Sequence, residues 1–196
     1  MKKQTNRSLR ASIAITLLVT LFTITSCKQG KEPGAVASLY QTKVQAPKVD
    51  IHTAIMTDNM EALRQHIAAG SNLNEKDPLG GSSPLISASL FGKTAMAKML
   101  IDAGADINLR NNDGSTALLT ASFFCRPEIV RMLLNKGADK TIKNKYGSTA
   151  YESVAGPFAA VKPSYDALGK MLQPMGLKLD YPYLEKTRPE IAAMLK

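Results

Sequence analysis

The chain of 196 residues is 44% hydrophobic and carries 25 basic against 16 acidic side chains. Four of the basic residues, Lys2, Lys3, Arg7 and Arg10, fall in the first ten positions with no acidic neighbour, so the rest keeps an excess of 21 − 16, or +5. Such mild, dispersed basicity favours acidic surfaces only weakly and excludes the clustered charge of a nucleic-acid binder.

In chain order, "MKKQTNRSLR" is basic and "ASIAITLLVTLFTITS" is uncharged, apolar and closed by small side chains, the layout of a secretory signal peptide over 1–26. The apolar run is shorter than the roughly 20 residues that a bilayer-spanning helix needs. "ITSC", Ile24 to Cys27, resembles a bacterial lipoprotein signal. That resemblance implies cleavage before Cys27, lipid on its thiol, and an anchor in the cell envelope, since each buried CH₂ contributes about 0.8 kcal/mol. Lys28 follows the cysteine where an Asp would signal inner-membrane retention, which favours the outer membrane facing the periplasm. An unlipidated form would be periplasmic. Lipidation of Cys27 leaves only Cys125, so no intramolecular disulfide forms and stability must come from packing. Residues 27–49, with two prolines and two glycines and no apolar period, read as a flexible tether.

From Asp50 the chain repeats itself. Residues 81–113 laid over 114–146 give 12 identities in 33 without a gap, among them Gly81/Gly114, Leu85/Leu118, Met99/Met132, Leu100/Leu133 and Gly104/Gly137. Ser83, Thr116 and Thr149 are suited to cap helix N-termini, and Pro84 suits a first helical position. Met96, Met99 and Leu100, like Ile129, Met132 and Leu133, recur at i, i+3, i+4 and mark one buried stripe per unit. Gly104 and Gly137 then stand where a left-handed residue closes the helix. One such unit cannot bury its own stripe, and stacked neighbours do.

This period, with "SPLISA" (Ser83 to Ala88) and "TALLTA" (Thr116 to Ala121) in the place of T-P-L-H-x-A, resembles the ankyrin repeat. The resemblance implies an all-α repeat solenoid of stacked helix-turn-helix units joined by β-turn or hairpin loops. Its repeats fall at about 50–80, 81–113, 114–146 and an irregular 147–180, which contains Gly156, Pro157 and Pro163, followed by a C-terminal capping helix over 181–196. "TRPEIAAMLK" (Thr187 to Lys196) echoes "CRPEIVRMLL" (Cys125 to Leu134) and reads as a truncated fifth unit. The first repeat matches with a shift of 34.

Candidates for chemistry are few. His52 takes the His position of the signature, implying hydrogen bonds within and between repeats, and His66 stands where Leu100 and Leu133 do, as a partly exposed face of the terminal repeat. No His/Cys/carboxylate set has metal-ligand spacing, and no glycine-rich phosphate loop follows a strand pattern. Cys125 replaces Gly92 in a turn that requires φ > 0, so Cys125→Gly is expected to stabilise the fold; no base stands near it in sequence. No catalytic residue, metal or cofactor is expected. The resemblance implies partner binding at the turn tips, Asn112, Asp113, Lys145 and Tyr146, and at the inner-helix ends, Leu90, Phe91, Phe123 and Phe124, unless Phe91 and Phe124 stack on each other as core. The reading is a monomeric, non-catalytic interaction module on an envelope lipoprotein, taking a protein partner and neither nucleic acid nor a small-molecule substrate. Immunity, scaffold and protective accessory roles fit it equally. The alternative is an enzyme with a site in the atypical 156–180 region.

Overall fold

The computed structural model describes residues 44–196. The leader, Cys27 and most of the 27–49 tether lie outside the described residues. Within them there are no strands and ten helical elements: α1 Ile51–Met56, α2 Met60–Ala68, α3 Pro84–Phe91, α4 Thr94–Asp102, α5 Ala117–Phe123, α6 Pro127–Asn135, α7 Glu152–Ala155, α8 Phe158–Leu172, a 3-10 turn Gln173–Met175, and α9 Tyr181–Leu195.

The inner helices α1, α3 and α5 each begin at a side-chain cap. Asp50 accepts from the Thr53 amide at 2.9 Å, and the Ser83 and Thr116 hydroxyls accept from the Ile86 and Leu119 amides at 3.3 Å. Thr149 and Glu152 close a reciprocal box, each side chain accepting from the other's amide, so two orphan donors of α7 are satisfied. Pro84 and Pro127 stand at helix starts, where the missing N–H costs nothing.

The inner helices α1, α3, α5 and α7 pack in series, and so do the outer helices α2, α4, α6 and α9. Their apolar sides merge into one core through Ile55, Leu63, Leu85, Met96, Leu100, Leu118, Ile129, Leu133 and Ile191. No unit could bury these side chains alone, so the stack is stabilised as an array.

The turns between units form a rigid comb. The Asn111 Oδ1 accepts from the Asp113 and Ser115 amides, and Asn144 Oδ1 from the Tyr146 and Ser148 amides. Asp77 holds the first tip in the same way through Leu79, Gly80 and Ser82. Neighbouring tips are joined by backbone bonds, Asn112 N–H to the Gly80 carbonyl and Lys145 N–H to the Asp113 carbonyl. A ladder of cations runs along them: Lys76 donates to the Arg110 carbonyl, Arg110 to the Lys143 carbonyl, and Lys143 ends on Glu152 at 3.5 Å.

Two expectations change. His66 is buried, 7% exposed, with Nε2 donating to the Val49 carbonyl at 2.8 Å and Nδ1 bonded to the Ser71 hydroxyl at 3.0 Å. It fills the core stripe of the first unit because the chain before α1 folds over it. The echo after Thr187 is not a fifth unit: it is the second half of α9, which packs on α6 and α7 in the place of the fourth unit's outer helix. Pro189 follows Pro127 by 62 residues, one 33-residue period plus 29, and those 29 hold α8 and its return. The fourth unit is thus split by an insertion between its inner and outer helices.

Candidate functional site

The tips, the inner helices α3 and α5, and the inserted α8 enclose an open groove of about 510 Å³. Ile86, Leu90, Leu119 and Phe123 form one wall, and Ala167, Leu168, Met171 and Leu172 of α8 face them. Asn111, Asp113, Ser115, Asn144 and Tyr146 rim the groove at the tips. Apolar walls with a few polar groups at one end are the usual make-up of a binding cleft.

The structure divides the sequence-predicted positions. Leu90, Asp113 and Tyr146 line the groove, and Tyr146 is 77% exposed. Asn112 and Lys145 are exposed on the tips beside it. Phe91 is half-buried and stands outside the groove lining. Phe124, also at the groove, is only 5% exposed, and its ring neighbours are Phe123 and Tyr165 instead of Phe91. It belongs to the core and is withdrawn from the partner surface. Phe123 is half-buried because Tyr165 stacks on it, ring centres 4.4 Å apart and 26° between planes. The face expected for a partner is there already occupied by the chain's own tyrosine.

Sequence reasoning missed two features. Leu79, 84% exposed at the first tip, sits beside the extra residue that breaks the 33-residue register, so no sister repeat pointed to it. Tyr165 and the apolar side of α8 lie in the insertion, where the period carries no information.

Beneath Tyr165 lies a second, smaller core of Cys125, Tyr165 and Leu184, with Phe123, Phe158, Val161, Leu179 and Tyr181 against it. The Tyr165 hydroxyl donates to the Phe123 carbonyl and receives a bond from Arg188 at 3.2 Å. Arg188, itself buried, also donates to the carbonyls of Ser153 and Gly156, at the end of α7. Cys125 has φ +52°, matching the +67° of Gly92, and its thiol lies 3.6 Å from the Leu184 carbonyl. Burial pushes that thiol up to about 11, against the pull of Arg188 and Arg126, so at neutral pH it is protonated and a poor nucleophile. Burial likewise pushes Tyr165 up to about 12, with Arg188 opposing. His52 donates from Nε2 to the Glu75 carbonyl at 3.1 Å, tying α1 to the loop that follows α2. Among the described residues no three His, Cys, Asp or Glu side chains are grouped to hold a metal ion.

Residues 51–144 match the family model for ankyrin repeats (3 copies). The human DNA-binding protein RFXANK is 30% identical over 84 residues, which are 43% of this chain and 30% of that protein. The ankyrin repeat domain of Bcl-3, a unique member of the IkappaB protein family, aligns with a TM-score of 0.51 at 31% identity, over 53% of this chain and 45% of that one. The chain therefore spans less than a third of the curated relative and less than half of the solved domain. With helices paired inner to outer, tips joined across units and the ankyrin-repeat model matched over 51–144, the described residues have the fold of an all-α ankyrin-repeat solenoid.

Proposed function

We propose that this protein is a non-catalytic interaction module, tethered to the bacterial envelope through lipid on Cys27, that binds a protein partner along its tips and groove. Ankyrin arrays present an extended surface built for protein contacts. The observation that carries the reading is an exposed aromatic at the edge of an apolar cleft: Tyr146, 77% exposed on its tip, borders a groove walled by Ile86, Leu90 and Leu119, and Leu79 stands 84% exposed two tips away. An apolar cleft rimmed by a few polar groups, with an exposed aromatic at its mouth, is the make-up of a binding surface. The buried, protonated Cys125 favours binding over nucleophilic catalysis in this chain. An enzyme or toxin to be inhibited, a scaffolded protein, or a client to be protected would each fit such a surface.

The test is capture from envelope extracts by the Cys27→Ser chain, compared with the same chain carrying Leu79→Ser and Tyr146→Ala. A stoichiometric protein held by the first and lost from the second supports the reading. A protein held equally by both, or turnover of a substrate without any retained protein, contradicts it.

A further inference from the structure

The insertion that splits the fourth unit lies on the face that the proposed partner would use, so what holds it there decides how that face is reached. Of the 15 residues of α8 only Tyr165 is buried, whereas the nine-residue α4 buries four. Pro163, inside α8, cannot donate to the carbonyl four residues before it, which weakens the helix at that point. A helix of this length is marginal in water without packing support. Its support is uneven. The half around Tyr165 is anchored on Phe123 and Phe124, whereas the last turns, with Leu168, Met171 and Leu172, stand across the open groove, Met171 62% exposed.

The insertion is also tied to itself: Lys162 pairs with Asp166 at 3.0 Å, and Leu179 packs over Gly169, where an added Cβ would come within 3.1 Å of it. Tyr181, the first residue of α9, donates to Asp166 at 2.8 Å and joins the insertion to the stack at its C-terminal end. Internal bonds of this kind let a segment move as one piece while the stack stays folded, because opening energies follow how few buried contacts are lost.

We propose that residues 157–180 form a displaceable cover, latched by Tyr165, which occupies the inner-helix face in the free protein and lifts to yield Phe123 and the apolar groove wall to the partner. This rests on the reading of the groove as a partner site, and it adds an autoinhibitory step to it. The latch, the wall and the reporter of its movement lie together: the Cys125 thiol is sealed beneath Tyr165 and Leu184.

The experiment therefore needs no partner. In the full chain carrying Cys27→Ser, Cys125 is the one remaining thiol, and its rate of reaction with a disulfide reagent reports lifting of the cover. The cover opens below global unfolding, so the rate should depend on urea far less steeply than unfolding of the stack does. Tyr165→Ala should raise the rate by about 100-fold or more, since large-to-small changes at buried aromatics are among the costliest. Tyr165→Phe, which keeps the stacking and loses two hydrogen bonds, should raise it by about 10-fold. Leu63→Ala, in the core of the first unit, should weaken global stability and leave the thiol rate unchanged. A thiol that reacts only with the urea dependence of global unfolding, or equal acceleration by Leu63→Ala and Tyr165→Phe, overturns the cover. Either result leaves partner binding at the tips standing, because that is read from capture and not from the thiol.

Discussion

Cys125 shows how a residue can be strained and still stabilising. Its φ of +52° costs a side chain with a Cβ roughly 1 kcal/mol. Its thiol, however, is fully buried against Leu184 and Tyr165, and removing it would forfeit about 1–2 kcal/mol of burial and leave a cavity. Glycine would also add unfolded-state freedom worth about 0.5–1 kcal/mol. Cys125→Gly is thus expected to lower stability by about 1 kcal/mol, the opposite of the expectation from sequence; an unchanged or higher urea midpoint would show strain to dominate. A second prediction follows from the proton. The unfolded chain releases the Cys125 proton near pH 9, while the folded chain holds it up to about 11, so stability falls as pH rises across that window. Tyr165 extends the loss from about 10 to about 12. Cys125→Ala should flatten the first part of this decline in urea titrations at pH 8 to 11. The turn conformation was legible because Gly92 stands 33 residues earlier. The cluster over the thiol was not, since its closing residue lies 40 positions later in an aperiodic insertion.

At the scale of elements, the caps, inner helices and apolar stripes of the middle units could be read residue by residue, because Ser83 and Thr116 cap α3 and α5 one period apart. The end of the stack was legible in part. A capping helix was expected over 181–196, and α9 spans Tyr181–Leu195, with Asp180 capping it through the Tyr183 amide; its place as the fourth unit's outer helix was hidden by the insertion before it. Ile191 and Leu195 enter the common core and Met194 packs against it, so the helix closes the open side of α6. Ile191→Ala should destabilise by about 2–5 kcal/mol, as buried aliphatics do. A chain ending at Lys186 loses this side together with Arg188, whose bonds hold the end of α7 and the Tyr165 hydroxyl. Its unfolding should be broader and less cooperative by circular dichroism. A transition as sharp as that of the whole chain would mean that the stack ends at α6.

Across the whole molecule, rigidity and display are separate. Side-chain clamps and tip-to-tip bonds fix the comb, which leaves the exposed side chains of Leu79, Asp113, Lys145 and Tyr146 available to the proposed partner. Exposed charge at such a rim acts mainly on association. Lys145→Glu should therefore change the association rate and its salt dependence while leaving the dissociation rate nearly unaltered, as kinetic binding traces would show. The proposed placement at the envelope rests on Cys27: palmitate label should enter the wild type and be absent from Cys27→Ser, and equal labelling of both would contradict the anchor. The most direct test of the central claim is titration of the captured partner against the Cys27→Ser chain with and without Tyr146→Ala. Truncating an anchoring aromatic costs about 2 kcal/mol, so the dissociation constant should rise by about 30-fold with the unfolding transition unchanged. An unaltered dissociation constant, in a variant that folds normally, would contradict the tips and groove as the partner surface.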